Sequence, residues 1–189
     1  MHLIEPHYGW RNEYVASEDE RSPFYRRQYS EFEFTHAVYN HLIHPQWDDM
    51  GSATLYIKLL YVNYDSGHCV IEMIGEWNDC LYNDIMYLKR NIAEPLMKQG
   101  INSFLLIGEN VFNFHSSDDA YYEEWFEEVE NGWIVAMNFR DFVIREMESA
   151  RLDWYMAIGK PFQDVPWRKL QPGVLCTMVG QLMARRLNP

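Results

Sequence analysis

The chain has 189 residues, 48% of them hydrophobic and 16% aromatic, with a net charge of −12. This apolar content excludes a disordered chain and predicts one domain with decorations, burying roughly 70% of its unfolded surface. The negative balance excludes nonspecific binding to nucleic acid or to an anionic membrane, since both need a basic face.

Residues 1–30 show no clean hydrophobic period. Arg11, Arg21, Arg26 and Arg27 mix with Tyr8, Trp10, Tyr14, Phe24 and Tyr25, which predicts an irregular arm packed on the body or on a second subunit. Phe32 and Phe34 alternate with Glu31 and Glu33, the period of a short strand. HPQWDDMGS (44–52) reads as a loop. ATLYIKLLYVNY and HCVIEMIGEW form a hairpin about Asp65-Ser66-Gly67, where Gly tolerates positive φ, with the second strand ending near Gly75.

A helix follows, capped by Asn78 or Asp79. Its stripe is Leu81, Ile85, Leu88, Ile92 and Leu96. Pro95 predicts a kink near Glu94, and Gly100 ends the element. Residues 101–139 read as strand, loop, acidic helix, strand. Phe104–Ile107 and Trp133–Met137 flank an amphipathic segment, as in a parallel βαβ crossover. The helix between them is predicted to start at Ser116-Ser117, with Tyr121, Trp125 and Val129 on one face and Gly132 closing it. A third helix runs from Asp141 to about Leu152, with Val143, Met147, Ala150 and Trp154 on one side, and a short strand Tyr155–Ile158 follows. The linker GKPFQDVPW leads to a last helix from about Pro172, striped by Leu175, Met178, Val179 and Leu182. Arg185 and Arg186 sit at its C-terminal end, where the helix dipole favours cations. The expected layout is an arm with a short strand (1–52), an α/β body (53–162) and a C-terminal linker and helix (163–189).

Cys69, Cys80 and Cys176 are odd in number and far apart, with no C-x-x-C spacing, so they read as free buried thiols of a reducing cytoplasm. MHLIEPHYGWRNEY has neither the basic nor the apolar region of a secretory leader. No apolar run approaches the roughly 20 residues of a membrane span.

Three polar segments are expected at the C-terminal ends of parallel strands, the side on which open α/β sheets bind ligands. They are Gly75–Asp79, Gly108–Ser117 and Asn138–Asp141. An enzyme would draw acid and base groups from Glu76, Glu109 and His115. No Gly-rich phosphate loop is present, and no cofactor is expected. His36, His41 and His44, ahead of Asp48 and Asp49, invite a metal, yet no single helix or strand puts the three on one face. Ser116 and Ser117 fit an N-cap with Asp118 and Asp119 in the first turn, or a phosphorylation site at a helix start. Seven acids and no Lys or Arg lie between Ser116 and Asn131, either a solvated helix face or a docking face for a basic partner.

In this order of elements the chain resembles the STAS domain of anti-sigma-factor antagonists over about residues 53–162. The family's G-E-(L/I)-D segment is similar to Gly75-Glu76-Trp77-Asn78-Asp79. Its D-S-S-G segment falls in register with His115-Ser116-Ser117-Asp118, with His and Asp replacing the outer Asp and Gly. The resemblance implies an α/β fold with a mixed, mostly parallel sheet and surrounding helices, plus the N-terminal arm and C-terminal helix. It implies a non-enzymatic regulatory or scaffold module that binds a switch kinase or an anti-sigma factor. Its site would be Ser117, the position of the family's modified residue, with Ser116, His115, Asp118, Glu76 and Asn78. The alternatives are a small-molecule or metal-dependent enzyme, and a structural subunit that dimerises through its aromatic arm.

Overall fold

The computed structural model describes residues 2–30, 32–34 and 36–187. Strands β1 (His2–Ile4), β2 (Ala37–Val38) and β3 (His41–Ile43) form a small sheet in the order β1-β3-β2. The main sheet contains β4 (Asp48–Asp49), β5 (Leu55–Asn63), β6 (His68–Asn78), β7 (Ser103–His115) and β8 (Trp133–Met137), in that spatial order. The β4–β5 and β5–β6 pairs are antiparallel, and β6–β7 and β7–β8 are parallel. This is the mixed α/β architecture anticipated from the crossover.

Both faces of the sheet are covered, which is why the central strands are nearly continuous apolar runs. Phe104 and Leu106 face one core with Ile71 and Met73, while Leu105 and Ile107 face another with Val70. The first core is closed by helices α1 (Asp79–Tyr82), α2 (Asp84–Tyr87), α3 (Glu94–Met97), α4 (Ala120–Glu128) and α5 (Asp141–Ser149), through residues such as Ile85, Leu96, Trp125 and Met147. The second is closed by α6 (Pro172–Leu187), Phe162, Trp167 and Trp10. The arm thus packs on its own chain: Trp10 Nε1 donates to Leu170 O at 2.9 Å, and Phe24 enters the first core.

Several expectations are revised. β6 does not end at Gly75. That residue adopts φ +122°, and a Cβ there would lie 2.0 Å from Thr54 O, so only glycine lets the strand continue past it to Asn78. β7 runs on through Glu109 and Asn113 to His115, so residues 108–115 are strand rather than loop. Pro95 is accommodated by a π-helical stretch, Leu88–Ala93, ahead of α3, where the Glu94 N–H reaches back to Lys89 O. Leu81 and Trp154 leave their predicted stripes and are exposed. Arg151, at φ 60°, ends the third helix before Leu152. The predicted strand Tyr155–Ile158 is reduced to one parallel bridge, Val135 to Ala157. Phe32 and Phe34 are not in a strand; Glu31 lies outside the described residues. Cys80 is exposed, while Cys69 and Cys176 are buried, and burial pushes the Cys176 thiol up to about 12. No described helix is long and apolar enough to cross a membrane.

Candidate functional site

The parallel pairing of β6 with β7 puts Glu76 opposite Asn113 and Asn78 opposite His115. The ends of the two strands therefore meet, although neither is a loop. Glu76 Oε1 lies 3.1 Å from His115 Nε2 and accepts from Asn78 Nδ2 at 2.9 Å. Its Oε2 accepts from the Tyr39 hydroxyl at 2.7 Å, and Asn113 Nδ2 lies 3.0 Å from His115 Nε2. Burial, with Glu76 as a further cause, holds the Tyr39 phenol above its ordinary value. The cluster is open to solvent: 46% of the His115 side chain is exposed. A carboxylate beside an imidazole can exchange a proton with a bound group.

Under this surface lies a buried acid network that anchors the first helix to the sheet. Asn78 caps α1, its Oδ1 accepting from Leu81 N at 2.9 Å. Asp79 Oδ1 accepts from Trp77 Nε1 at 3.0 Å and Ile85 N at 2.8 Å, and Oδ2 from the Tyr122 hydroxyl at 2.5 Å. Asp84 accepts from Ser52 Oγ at 2.6 Å and from Asn78 N at 2.7 Å. Burial raises both carboxyls, Asp79 to about 6, in spite of these donors. Every contact here ties one element to another, so the network reads as structural.

Ser116 and Ser117 follow directly on His115 and are exposed. They do not cap the helix as expected. α4 begins later, at Ala120, with Asp119 as the N-cap residue, and neither serine hydroxyl has a hydrogen-bond partner among the described residues. Asp118 Oδ1 accepts from Ala120 N at 3.2 Å. The acidic helix is divided in its duties. Glu124 and Glu128, with Glu94, surround the fully buried ammonium of Lys89 at 3.1, 2.9 and 2.9 Å, and Arg90 pairs with Glu94 and Glu124. Burial alone would lower the Lys89 ammonium, yet the three glutamates hold it above its ordinary value. Glu123, Glu127 and Glu130 face outward. The three carboxylates around Lys89 stand close enough for a cation, and the ammonium already sits among them.

Glu109 does not join Glu76 and His115. It lies six residues before His115 in β7, about 20 Å along an extended chain. There it accepts from Asn138 Nδ2 at 3.0 Å, Trp167 Nε1 at 2.8 Å and Arg168 Nη1 at 2.5 Å. Arg168 also reaches Glu72, which accepts from His7 N at 2.7 Å. Burial pushes Glu72 up to about 7. His36, His41 and His44 are likewise apart: His36 lies on Tyr56, His41 stacks on Phe112 with ring centroids 4.1 Å apart, and His44 pairs with Glu5. The histidine metal site is therefore not assembled.

Tyr39 and Asn113 were missed in the sequence. The alternation of Phe112 and Phe114 with Asn113 and His115 carried a signal for the second, since it continues the strand. Tyr39 has none, because it arrives from the small sheet.

No protein-family model matches this chain, and no curated protein matches it. Among solved structures it is similar to one described as "Structure of the Anti-Sigma Factor Antagonist SpoIIAA in its Unphosphorylated Form", with 15% identity and a TM-score of 0.42, covering 56% of this chain and 89% of that one. The roles of the residues above rest on their own geometry.

Proposed function

We propose that this chain is a non-catalytic protein-binding module of regulatory type, whose partner docks on Ser116, Ser117 and Asp118 and on the outward acids of α4. One observation carries the reading: the two serines are exposed, unpaired among the described residues and placed ahead of the helix start at Asp119. A capping role would have explained them, and α4 begins beyond them, at Ala120, with no side-chain cap. His115 and Glu76 border the same surface, while Asn78 lies buried beneath Glu76. The STAS resemblance of the sequence supports a cytoplasmic switch kinase or anti-sigma factor as partner and Ser117 as the modified residue. A phosphate there would add charge beside Asp118 and Asp119, altering the docking surface far more than the fold.

The test is isolation of the full chain from its source cells, with mass spectrometry of the bound partner and of the Ser116-Ser117 peptide. Ser117→Glu is expected to change affinity for that partner at least about tenfold, or about 1.4 kcal/mol. If Ser117→Ala and Ser117→Glu both leave it unchanged, the switch is wrong. A second reading, acid–base chemistry, is favoured by the Glu76–His115 contact alone. Turnover of a substrate that is lost in His115→Ala would support it.

A further inference from the structure

At the far end of α4 from the serines, a groove of about 400 Å³ opens between Val129, Trp133 and Ile134 on one side and Trp154, Tyr155 and Met183 on the other. A volume of that order lies in the range of ligand and side-chain pockets. Its lip carries two of the chain's exposed large apolar side chains, Phe126 at 52% and Trp154 at 62% relative exposure. Exposed aromatics at the mouth of an apolar cleft are characteristic of interaction surfaces and supply most of the binding energy there.

The charge around the groove is directional. Asp153 lines it, and Tyr155 donates to Asp119 Oδ2 at 2.6 Å. Asp119 and then burial hold the Tyr155 phenol up at about 12, and Glu123 stands one helical turn on from Asp119, on the same side of α4. Glu123 and Phe126 stand three residues apart within α4, which puts them on one side of it. Against these acids stand Arg186 in the lining and Arg151, whose guanidinium lies 5.4 Å over the Trp154 ring. Acids outnumber the arginines, and Arg151 is already engaged by an aromatic face.

We infer that this groove binds a linear segment of a partner protein bearing one aromatic or long aliphatic side chain flanked by Lys or Arg. The apolar residue seats between Phe126 and Trp154, and the flanking cations meet Asp119, Glu123 and Asp153. The groove goes beyond the serine surface, with which it shares only the acids at the start of α4, Asp119 and Glu123.

The experiment is selection of a random peptide library on the immobilised full chain, followed by affinity measurement of the enriched peptides. Enriched sequences are expected to carry an aromatic or long aliphatic residue between Lys or Arg. Their affinity is expected to fall at least about tenfold in Trp154→Ala and Phe126→Ala, and to stay within about twofold in Ser117→Glu. The double reversal Glu123→Lys, Asp153→Lys is expected to abolish the preference for basic peptides while circular dichroism remains unchanged. Failure to enrich any peptide, enriched peptides without cations, or affinity indifferent to both aromatic truncations would each overturn the inference. So would self-association of the wild-type chain that disappears in Trp154→Ala, because it would assign the groove to a second copy.

Discussion

The hydroxyl of Tyr122 donates to Oδ2 of Asp79 at 2.5 Å, joining α4 to the start of α1 through two buried groups. Tyr122→Phe removes that donor and leaves the carboxylate oxygen unpaired in the interior. The expected loss is about 1–3 kcal/mol by urea unfolding, with the Asp79 carboxyl rising further above 6. Asp79→Asn keeps the acceptor for Trp77 and Ile85 while removing the charge, so at neutral pH it is expected to cost less than Tyr122→Phe.

The pH profile of stability follows from the same group. The folded Asp79 carboxyl titrates near 6 against an ordinary 3.8, and that of Glu72 near 7 against 4.5. Between the two values of each group the folded state holds more protons than the unfolded one, so stability falls as pH rises through that window. Glu109, Glu94 and Glu124 are lowered, and their contribution disappears as pH falls through their folded values. These carboxyls alone favour a higher unfolding midpoint near pH 5 than at pH 8, opposed by His7, His41 and His68, which burial lowers and which therefore stabilise the fold as pH rises toward 6.5. Asp79→Asn with Glu72→Gln should flatten the neutral limb. A pH 5 to 8 profile identical in the wild type and in that double variant would refute this account.

Lys89 is the common counter-ion of Glu94, Glu124 and Glu128. Lys89→Ala leaves three carboxylates facing one another. Glu124 and Glu128 are partly solvated, so the expected loss is about 2–3 kcal/mol, below that of a fully buried pair. Millimolar Ca²⁺ is expected to raise the melting temperature of this variant and to leave that of the wild type unchanged, because the ammonium occupies the position a cation would take.

Gly75 carries a φ of +122°, and its Cα hydrogen faces Thr54 O. Gly75→Ala would force the hairpin apart just before Glu76, which hydrogen-bonds Thr54 O through its own N–H at 2.9 Å. The expected cost is at least about 2 kcal/mol, together with a displaced Glu76–His115 pair, read as a change in the His115 imidazole NMR shifts.

Much of this architecture is legible locally. Trp133–Met137 is a strand because a parallel strand buried on both faces must be apolar throughout, and Asn78 caps α1 because its short side chain reaches the N–H of Leu81. The end of β7 is not legible in the same way. Glu109 and Asn113 are polar, and the partners that hold them in extended chain, Asn138 and Trp167 for one and Tyr39 for the other, are distant in sequence. Helix periodicity likewise cannot choose between Tyr121 and Tyr122. Asp79, 43 residues away, chooses Tyr122.

The sequence by itself determined the hairpin with its Asp65-Ser66-Gly67 turn, the parallel crossover and the last helix, because short-range periodicity, capping and glycine conformation act between neighbours in the chain. Tertiary structure alone decided which polar residues have work inside the protein and which are left for a partner. Glu124 and Glu128 turn inward to Lys89, Glu109 turns to Arg168, and Asp119 turns to Tyr155. Their fates differ although their local sequences look alike, since the cost of burying a charge is met only by a counter-charge or donor brought from elsewhere in the fold. Ser116 and Ser117 receive no such partner among the described residues, and that leaves them free at the surface.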